Sequence, residues 1–206
     1  MWLWCEPQLQ PRPPTLLRKD RATDVTFDDL TAKSGKEKAG YNKIKFCGDQ
    51  AARDGLQYFW YRRAERCYVF LADVSTSEGS PQSTWEPVFR TSRWFTRGWT
   101  LQELLAPKSV EFFSKEGVRL GDRESLKRQI FEITGIPLAA LSGTPLTDFS
   151  VKERMRWAKG RTTQKFEDMA YCLQGIFGVY MPPIYGEKEN AFRRLDDAID
   201  GLGTRK

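Results

Sequence analysis

The sequence predicts an α/β fold in which a mostly parallel sheet is followed by a C-terminal helical extension. Two apolar, β-prone runs at 67–72 and 109–114 flank a short helical pattern at 99–106, and this alternation is typical of parallel strands joined by a crossover. Beyond residue 146 only helical spacing continues. These observations divide the chain into three parts: an irregular, proline-rich lead-in at 1–24, an α/β domain at 25–146 and a helical extension at 147–206.

The N-terminal part of the chain carries few strand signals. Prolines break helices and central strands, and four of them interrupt the first two dozen residues, Pro7, Pro11, Pro13 and Pro14. That segment is therefore predicted to be irregular. A helix is expected over 36–54, and a short aromatic strand is expected over 56–61.

The central elements follow from apolar runs and from the residues that stop them. The run at 67–72 is the best strand of the chain and is followed by a polar loop at 75–84. Pro107 stops the helix at 99–106, and a second strand is expected at 109–114. The next helix ends at Gly135 and has an apolar stripe formed by Leu126, Ile130 and Ile133.

Three helices are predicted in the extension, and all three are expected to be structural. Ser150 and Glu153 have the spacing of a capping box, so a helix is expected from there to Trp157. A final amphipathic helix carries its apolar positions between 191 and 199. The helix between them ends at Gly178, and its apolar positions are Phe166, Met169, Ala170, Leu173, Ile176 and Phe177.

The composition excludes whole classes of active site. The 206 residues include no histidine, which rules out Ser-His-Asp and Cys-His units, histidine metal sites and imidazole bases. Cys5, Cys47, Cys67 and Cys172 are scattered, so neither a metal site nor a disulfide framework is expected, and the location is predicted to be reducing and cytoplasmic. Cys67 and Cys172 lie in apolar patterns and are expected to be small buried hydrophobes.

The charge and hydropathy patterns argue against two kinds of partner. The 33 Lys and Arg residues are interleaved with 27 Asp and Glu residues, so the net charge of +6 forms no basic block and nucleic acid is not an expected partner. The uncharged apolar runs are far shorter than the roughly 20 residues of a membrane-spanning helix. Neither nucleic acid nor a membrane is therefore an expected partner.

Two motifs resemble those of a known protein family. The segment Arg97-Gly-Trp-Thr-Leu-Gln-Glu103, together with the strands predicted on either side of it, resembles the central block of the fungal heterokaryon-incompatibility (HET) domain. The segment Glu167-Asp-Met-Ala-Tyr-Cys-Leu-Gln-Gly175 is similar to the sequence that commonly follows that block. The resemblance extends over 25–199, and the two motifs occur together in little else.

The chain departs from the HET pattern in two places. Family members usually begin with a strand that ends in Ser-His-x-Trp, whereas this chain has no histidine. Members also carry a Val-Asp-x-x-Cys-Ile strand and a long helix between the equivalents of Trp60 and Tyr61, which are adjacent here. The resemblance therefore implies an incomplete copy, either a truncated gene model or a decayed paralogue.

HET domains are similar in turn to Toll/interleukin-1-receptor (TIR) domains, which implies an incomplete TIR- or flavodoxin-like sheet. The TIR element Ser-x-Trp-Cys-x-x-Glu-Leu is matched here at Trp99, Glu103 and Leu104. In TIR-type enzymes that glutamate takes part in cleaving the nicotinamide–ribose bond of NAD. The resemblance thus implies that Glu103 is the catalytic residue, with NAD as a substrate and no cofactor. One carboxylate is able to stabilise an oxocarbenium-like transition state without histidine or metal.

Glu103 also has a purely structural interpretation. Thr100 and Glu103 have the spacing of a second capping box, with Thr100 as the N-cap, and a capping carboxylate needs no substrate. On that interpretation Glu103→Gln is expected to change stability very little, since an amide caps as well.

Structural interpretations are also open for the other candidate substrate-binding residues, which are Trp99, Asp73 and Arg97. Trp99, with Trp94 and Phe95, is either a stacking surface for a ligand ring or a wedge between helix and sheet. Asp73 follows a strand at the carboxyl end, where α/β folds bind ligands, but it is equally a turn residue. Arg97 is a candidate ligand of a phosphate group.

Three functions are compatible with these features. The first is a HET-type signalling module linked to fungal non-self recognition and regulated cell death. The second is an NAD glycohydrolase that uses Glu103, and the third is a non-catalytic domain that pairs with intact HET-domain proteins through an aromatic surface. Because strands of the family pattern are missing, an inactive copy is the expectation.

Overall fold

A computed structural model of the chain describes residues 3–7 and 61–203. The predicted helix over 36–54 lies outside these residues, as does the predicted strand over 56–61 except for its last residue. Tyr61 is helical together with Arg62 and Arg63, so the strand prediction is wrong at that position. The next strand follows this helical turn directly.

The described strands form one mixed sheet, in the order β1-β2-β3-β4. The central pair is parallel, with Cys67 opposite Val110 and Val69 opposite Phe112, as the crossover pattern predicts. The outer pairs are antiparallel, so parallel pairing is confined to the centre of the described sheet. The strands are β1 (Leu3–Pro7), β2 (Ala64–Leu71), β3 (Ser109–Ser114) and β4 (Arg119–Asp122).

Strand β1 corrects the prediction of an irregular lead-in over 1–24. It lies at the edge of the described sheet and pairs with β2 from Leu3 to Pro7, with an irregular register at its last residue. An edge strand tolerates proline because its outward N–H groups need no ladder partner. Pro7 therefore ends this strand rather than preventing it.

Strand β4 is a second element that the sequence pattern missed. It follows β3 after a short turn that contains Gly117, whose φ of 85° favours glycine. The strand has only four residues, and Arg119 and Asp122 at its ends form an ion pair. So short and polar a run gives no strand signal, and a tight turn makes its pairing with β3 antiparallel.

Helices connect β2 to β3 across one face of the sheet. Helix α1 (Gln82–Arg90) begins within the predicted loop over 75–84 and contains Pro87, a residue that argues against a helix in sequence. A 3₁₀-helix (Arg93–Thr96) and helix α2 (Thr100–Leu105) complete the crossover. Helix α2 confirms the short helix predicted at 99–106, and it ends before Pro107.

The helices after the sheet follow the predicted stop signals. Gly135 and Gly178 adopt left-handed conformations, with φ of 68° and 70°, at the ends of the helices they were expected to close. The Ser150 capping box is formed, with the Glu153 amide donating to Ser150 Oγ at 3.2 Å. These helices are α3 (Lys127–Thr134), α4 (Leu138–Leu141), α5 (Val151–Arg156), α6 (Asp168–Tyr171), α7 (Gln174–Phe177) and α8 (Asn190–Gly203), with a 3₁₀-helix at Leu146–Asp148.

The helix predicted across 166–177 is two short helices, α6 and α7, separated at Cys172 and Leu173. Phe166 precedes them and is 52% exposed, so its predicted position on this helix is wrong. Its ring instead packs at the surface against Phe192 of α8, with 5.5 Å between centroids.

One continuous hydrophobic core joins the sheet to the C-terminal helices. Phe112 of β3 lies at its centre and is contacted by the rings of Phe89, Trp94 and Phe95. The same core includes Leu173 and Leu195, both nearly completely buried. The described helices after residue 146 therefore share their apolar interior with the α/β part.

Candidate functional site

Helix α2 carries Glu103 into the interior of the protein. All residues from Thr100 to Leu104 are buried, and the Glu103 side chain retains only a small exposed fraction. The rings of Trp94 and Phe95 lie just before the helix and meet edge to face at 5.1 Å between centroids. Both rings are buried, which favours the wedge interpretation over a ligand-stacking surface.

The capping box predicted for Thr100 and Glu103 is wrong. Thr100 is the first residue of α2 rather than its N-cap, and the N-cap, Trp99, makes no side-chain capping bond. The Thr100 hydroxyl lies 2.7 Å from the Trp94 carbonyl oxygen and 2.8 Å from that of Arg97. Because that hydroxyl is bound to the preceding loop, it is not available to the helix N-terminus.

Burial dominates the acid–base behaviour of Glu103. It raises the pKa of the carboxyl group to about 7, against the opposing effects of the Trp94 indole, the Arg97 charge, the Tyr61 hydroxyl and the Arg161 charge. Tyr61 donates a long hydrogen bond of 3.4 Å to Oε1. Within the described part of the chain, Oε2 has no hydrogen-bond partner. The carboxyl group therefore changes charge near neutral pH.

Arg161 is the residue of this centre that sequence reasoning missed. Its Nη1 donates to the Thr100 hydroxyl and to the Arg97 carbonyl, both at 2.9 Å. Its Nε donates to the Trp157 carbonyl at 3.1 Å, and burial lowers the pKa of the guanidinium to about 10. Its place in the sequence, just after Gly160, carries no signal of this role because two of its partners, Arg97 and Thr100, lie about sixty residues away.

The remaining predicted site residues lie at different places. Arg97 is exposed and acts on Glu103 through its charge, whereas Trp99 is half-buried at the start of α2. Asp73 accepts hydrogen bonds of 2.8 Å from the Ser92 hydroxyl and the Arg93 amide, which fixes the start of the 3₁₀-helix at 93–96. These bonds give Asp73 a structural role and do not connect it to Glu103.

Cys67 and Cys172 are buried and free, which agrees with their predicted role as small hydrophobes. Burial raises the pKa of the Cys172 thiol to about 12, so the thiolate is not populated near neutral pH. The Cys172 carbonyl accepts a 2.6 Å hydrogen bond from Gln102 Nε2. This bond and the Arg161 contacts connect α2 to the C-terminal helices.

Gly98 marks a close approach between the start of α2 and the segment at 161–163. Its amide donates to the Thr162 carbonyl at 2.9 Å, and a Cβ atom added to it would lie 2.5 Å from Thr163 Cγ2. We expect Gly98→Ala to lower the free energy of unfolding by about 1–3 kcal/mol in urea denaturation, because packed neighbours would have to move.

The matched control for Gly98 is a variant that removes the obstructing methyl group. Thr163→Ser deletes Cγ2 and keeps the hydroxyl that donates to the Lys165 carbonyl. The double variant with Gly98→Ala and Thr163→Ser is expected to recover part of the lost stability. An equal loss in both backgrounds would show that the methyl contact is not the cause.

A polar cavity of about 310 Å³ lies at another place in the fold. It is bordered by Lys108, Ser109, Asp122, Arg123 and Ser142, next to the beginning of β3, and Glu103 does not line it. The described residues hold no cluster of three or more potential metal-ligating side chains. Among those same residues, no helix is long and apolar enough to cross a membrane.

Comparison with known proteins relates the chain to a fungal vegetative incompatibility protein. No protein-family profile matches the chain, and neither does any solved structure. The chain is 50% identical over 205 residues to vegetative incompatibility protein HET-E-1 of Podospora anserina. The match covers 85% of this chain and 15% of that protein, so the chain spans a small part of its relative. Over most of its length, the chain is therefore homologous to a segment of a fungal vegetative incompatibility protein.

Proposed function

We propose that the chain acts in fungal vegetative incompatibility as a HET-type signalling module linked to non-self recognition and regulated cell death. The observation that carries the proposal is the 50% identity to HET-E-1 across 85% of the chain. The segment at 97–103, which resembles the central block of the HET domain, supports it. Intact HET-domain proteins are the proposed partners.

The proposed module is an internally shortened copy. The match extends over 205 residues yet covers only 85% of the 206-residue chain, so part of the aligned length has no counterpart here. The gap proposed from the sequence, between Trp60 and Tyr61, is the natural place for it. A copy without a strand and a helix of the family pattern is expected to be inactive by itself.

The experiment is to restore the missing segment. The chain would be expressed inducibly in a fungal host, alone and with the relative's unmatched segment inserted between Trp60 and Tyr61, while cell death is measured. We expect death only with the restored chain. Death caused by the chain alone would contradict the inactive copy, and survival with the restored chain would contradict the signalling proposal. Sequencing the transcript across the junction shows which form the cell makes.

A second candidate function is cleavage of NAD, and the state of Glu103 favours it. The carboxyl group is not used in a helix cap, its pKa is raised to about 7, and Oε2 has no partner among the described residues. A buried carboxyl group with a shifted pKa is typical of functional sites. The residue types present are compatible with stabilising an oxocarbenium-like centre, with NAD as substrate and no cofactor.

The NAD proposal is tested by incubating the purified chain with NAD and measuring nicotinamide release. We expect no turnover from this shortened copy, since the strand proposed to be missing would form part of the second wall of a pocket. Release that disappears in Glu103→Gln and persists in Glu78→Gln, a control at an exposed loop residue, would establish the enzyme.

A third candidate function is pairing with intact HET domains without catalysis. The aromatic residues at 94 and 95 are buried, so they do not form the surface that this function requires. Large exposed apolar side chains occur instead in the C-terminal part, at Phe166, Tyr180 and Tyr185. Size-exclusion chromatography with a full-length relative tests this function. A complex that is lost in Tyr180→Ser but retained in Glu78→Gln would support it, and separate elution would contradict it.

A further inference from the structure

Two adjacent prolines lie in an irregular segment between α7 and α8. The segment reads Met181-Pro-Pro-Ile-Tyr185, and residues 179–184 form neither helix nor strand. Proline fixes its own φ at about −65° and pushes the residue before it toward extended conformations. Both peptide bonds that precede a proline are trans. The sequence therefore favours the polyproline II conformation at 181–183, in which the backbone makes no hydrogen bonds within the segment.

The backbone of this segment is held from one side by α6 and α7. Met181 is buried, and its amide donates to Gln174 Oε1 at 2.9 Å. The Tyr171 hydroxyl lies 2.7 Å from the Ile184 nitrogen and 2.8 Å from the Ile184 carbonyl oxygen. Tyr171 and Gln174 both belong to the motif at 167–175, so that motif holds the proline segment in place. A segment that is ordered before binding loses less conformational entropy when a partner binds it.

The side chains of the same segment are largely open to solvent. Pro182 is exposed, and Pro183 is half-buried. Ile184 and Tyr185 are 50% and 51% exposed. Neighbouring apolar side chains that remain exposed together are typical of an interaction site. The segment thus combines a fixed backbone with side chains that a partner can reach.

Tyr185 also contacts neighbouring side chains of the chain itself. Its hydroxyl donates to Asp168 Oδ1 at 3.1 Å, and Lys165 Nζ lies 3.5 Å from the centre of its ring. Its ring meets that of Tyr171 edge to face, with 5.9 Å between centroids. The first two contacts lie at the surface, where water competes with them, so a partner can replace them at small cost.

We propose that Pro182-Pro-Ile-Tyr185 is a docking motif for a WW domain, a small module whose aromatic groove binds polyproline II segments. The spacing carries the proposal, because two prolines, one variable residue and a tyrosine form a pattern that WW domains recognise. The segment at 179–187 contains no Pro-x-x-Pro pattern, which SH3 domains bind. The partner differs from the intact HET domains proposed above, and docking does not depend on cell-death signalling.

The proposal is tested by titrating a ¹⁵N-labelled WW domain, of the kind that binds Pro-Pro-x-Tyr peptides, with the full chain. We expect the indole N–H signal of the tryptophan in its groove to shift. Tyr185→Ala and Pro182→Ala are each expected to weaken binding by about tenfold or more. Circular dichroism shows whether each variant is folded. Pro182 is exposed, so Pro182→Ala keeps the test valid even if Tyr185→Ala does not fold.

Two exposed neighbours provide matched controls. Ile184→Ala changes the variable position, and Tyr180→Ser changes a tyrosine outside the motif that is 59% exposed. Both variants are expected to bind the WW domain as the wild type does. Weaker binding in either control would indicate a general apolar surface and overturn the proposal. No tryptophan shift with the wild-type chain, or undiminished binding in folded Tyr185→Ala or Pro182→Ala, would overturn it as well.

Discussion

At pH 8, Glu103→Gln is expected to raise the free energy of unfolding by about 3 kcal/mol. The pKa of the carboxyl group is about 7 in the folded protein against an ordinary value of 4.5, so the folded state binds the proton more tightly. The stability that the Glu103 carboxyl group contributes is fully present below pH 4.5 and is lost as the pH rises through 7. Glutamine does not ionise, so Glu103→Gln avoids the free-energy cost of a buried carboxylate at this pH.

The pH dependence identifies the cause of this stabilisation. Urea denaturation of both proteins at several values between pH 4.5 and pH 8 is expected to give nearly equal stability at the acidic end and a growing difference toward the alkaline end. Glu78→Gln, at an exposed position, is expected to follow the wild type throughout. A constant difference between Glu103→Gln and wild type would indicate a packing effect and contradict a shifted carboxyl pKa.

Arg123→Met is expected to lower the free energy of unfolding by about 3 kcal/mol, because it leaves buried carbonyl oxygens without a donor. Arg123 is buried and closes the end of α2, donating to the carbonyl oxygens of Leu104 at 2.7 Å, Pro107 at 3.1 Å and Lys108 at 2.9 Å. The last carbonyl groups of a helix have no partner within the helix. Methionine fills a similar volume but leaves those oxygen atoms unpaired.

The control for Arg123 lies nearby in the sequence. Arg128 is also an arginine, but its side chain is 86% exposed and its contact with Glu132 is long, at 3.6 Å. Arg128→Met is expected to change stability by less than about 0.5 kcal/mol. Arg123→Lys is expected to lie between the two, since an ammonium group retains part of the hydrogen bonding. Equal losses for the two Arg→Met variants would contradict a specific role at the helix end.

Short sequence patterns predict the helices and strands that are determined by residues close together in the chain. The parallel pair β2–β3 follows from two apolar runs around a crossover, and the start of α5 follows from Ser150 and Glu153. Strand β1 is different, because its partner β2 lies about sixty residues away and its prolines give the opposite signal. β1 forms at the edge of the sheet, and a short sequence pattern does not show where in a sheet a strand will lie.

The candidate site is predictable only in part for the same reason. The family resemblance identifies Glu103, but the spacing to Thr100 suggests a cap that the fold does not form. The Thr100 hydroxyl is bound instead to Trp94 and Arg97, which only the folded loop brings into reach. Residue spacing does not identify Arg161, because its role depends on burial and on two oxygen atoms, of Arg97 and Thr100, that lie about sixty residues away. The near-neutral stability change expected of Glu103→Gln on the capping interpretation is therefore replaced by a pH-dependent one.

Strand β1 also has a consequence for the solubility of shortened forms of the chain. An unpaired strand presents a row of backbone N–H and C=O groups that can template association with another molecule. β1 covers that row along β2, the longest described strand, whose Cys67, Val69 and Leu71 are buried. Removal of the first seven residues would uncover this edge while leaving the crossover intact. Such a shortened chain would be prone to edge-to-edge aggregation. In the full chain, β1 protects the edge of β2 from pairing with another molecule.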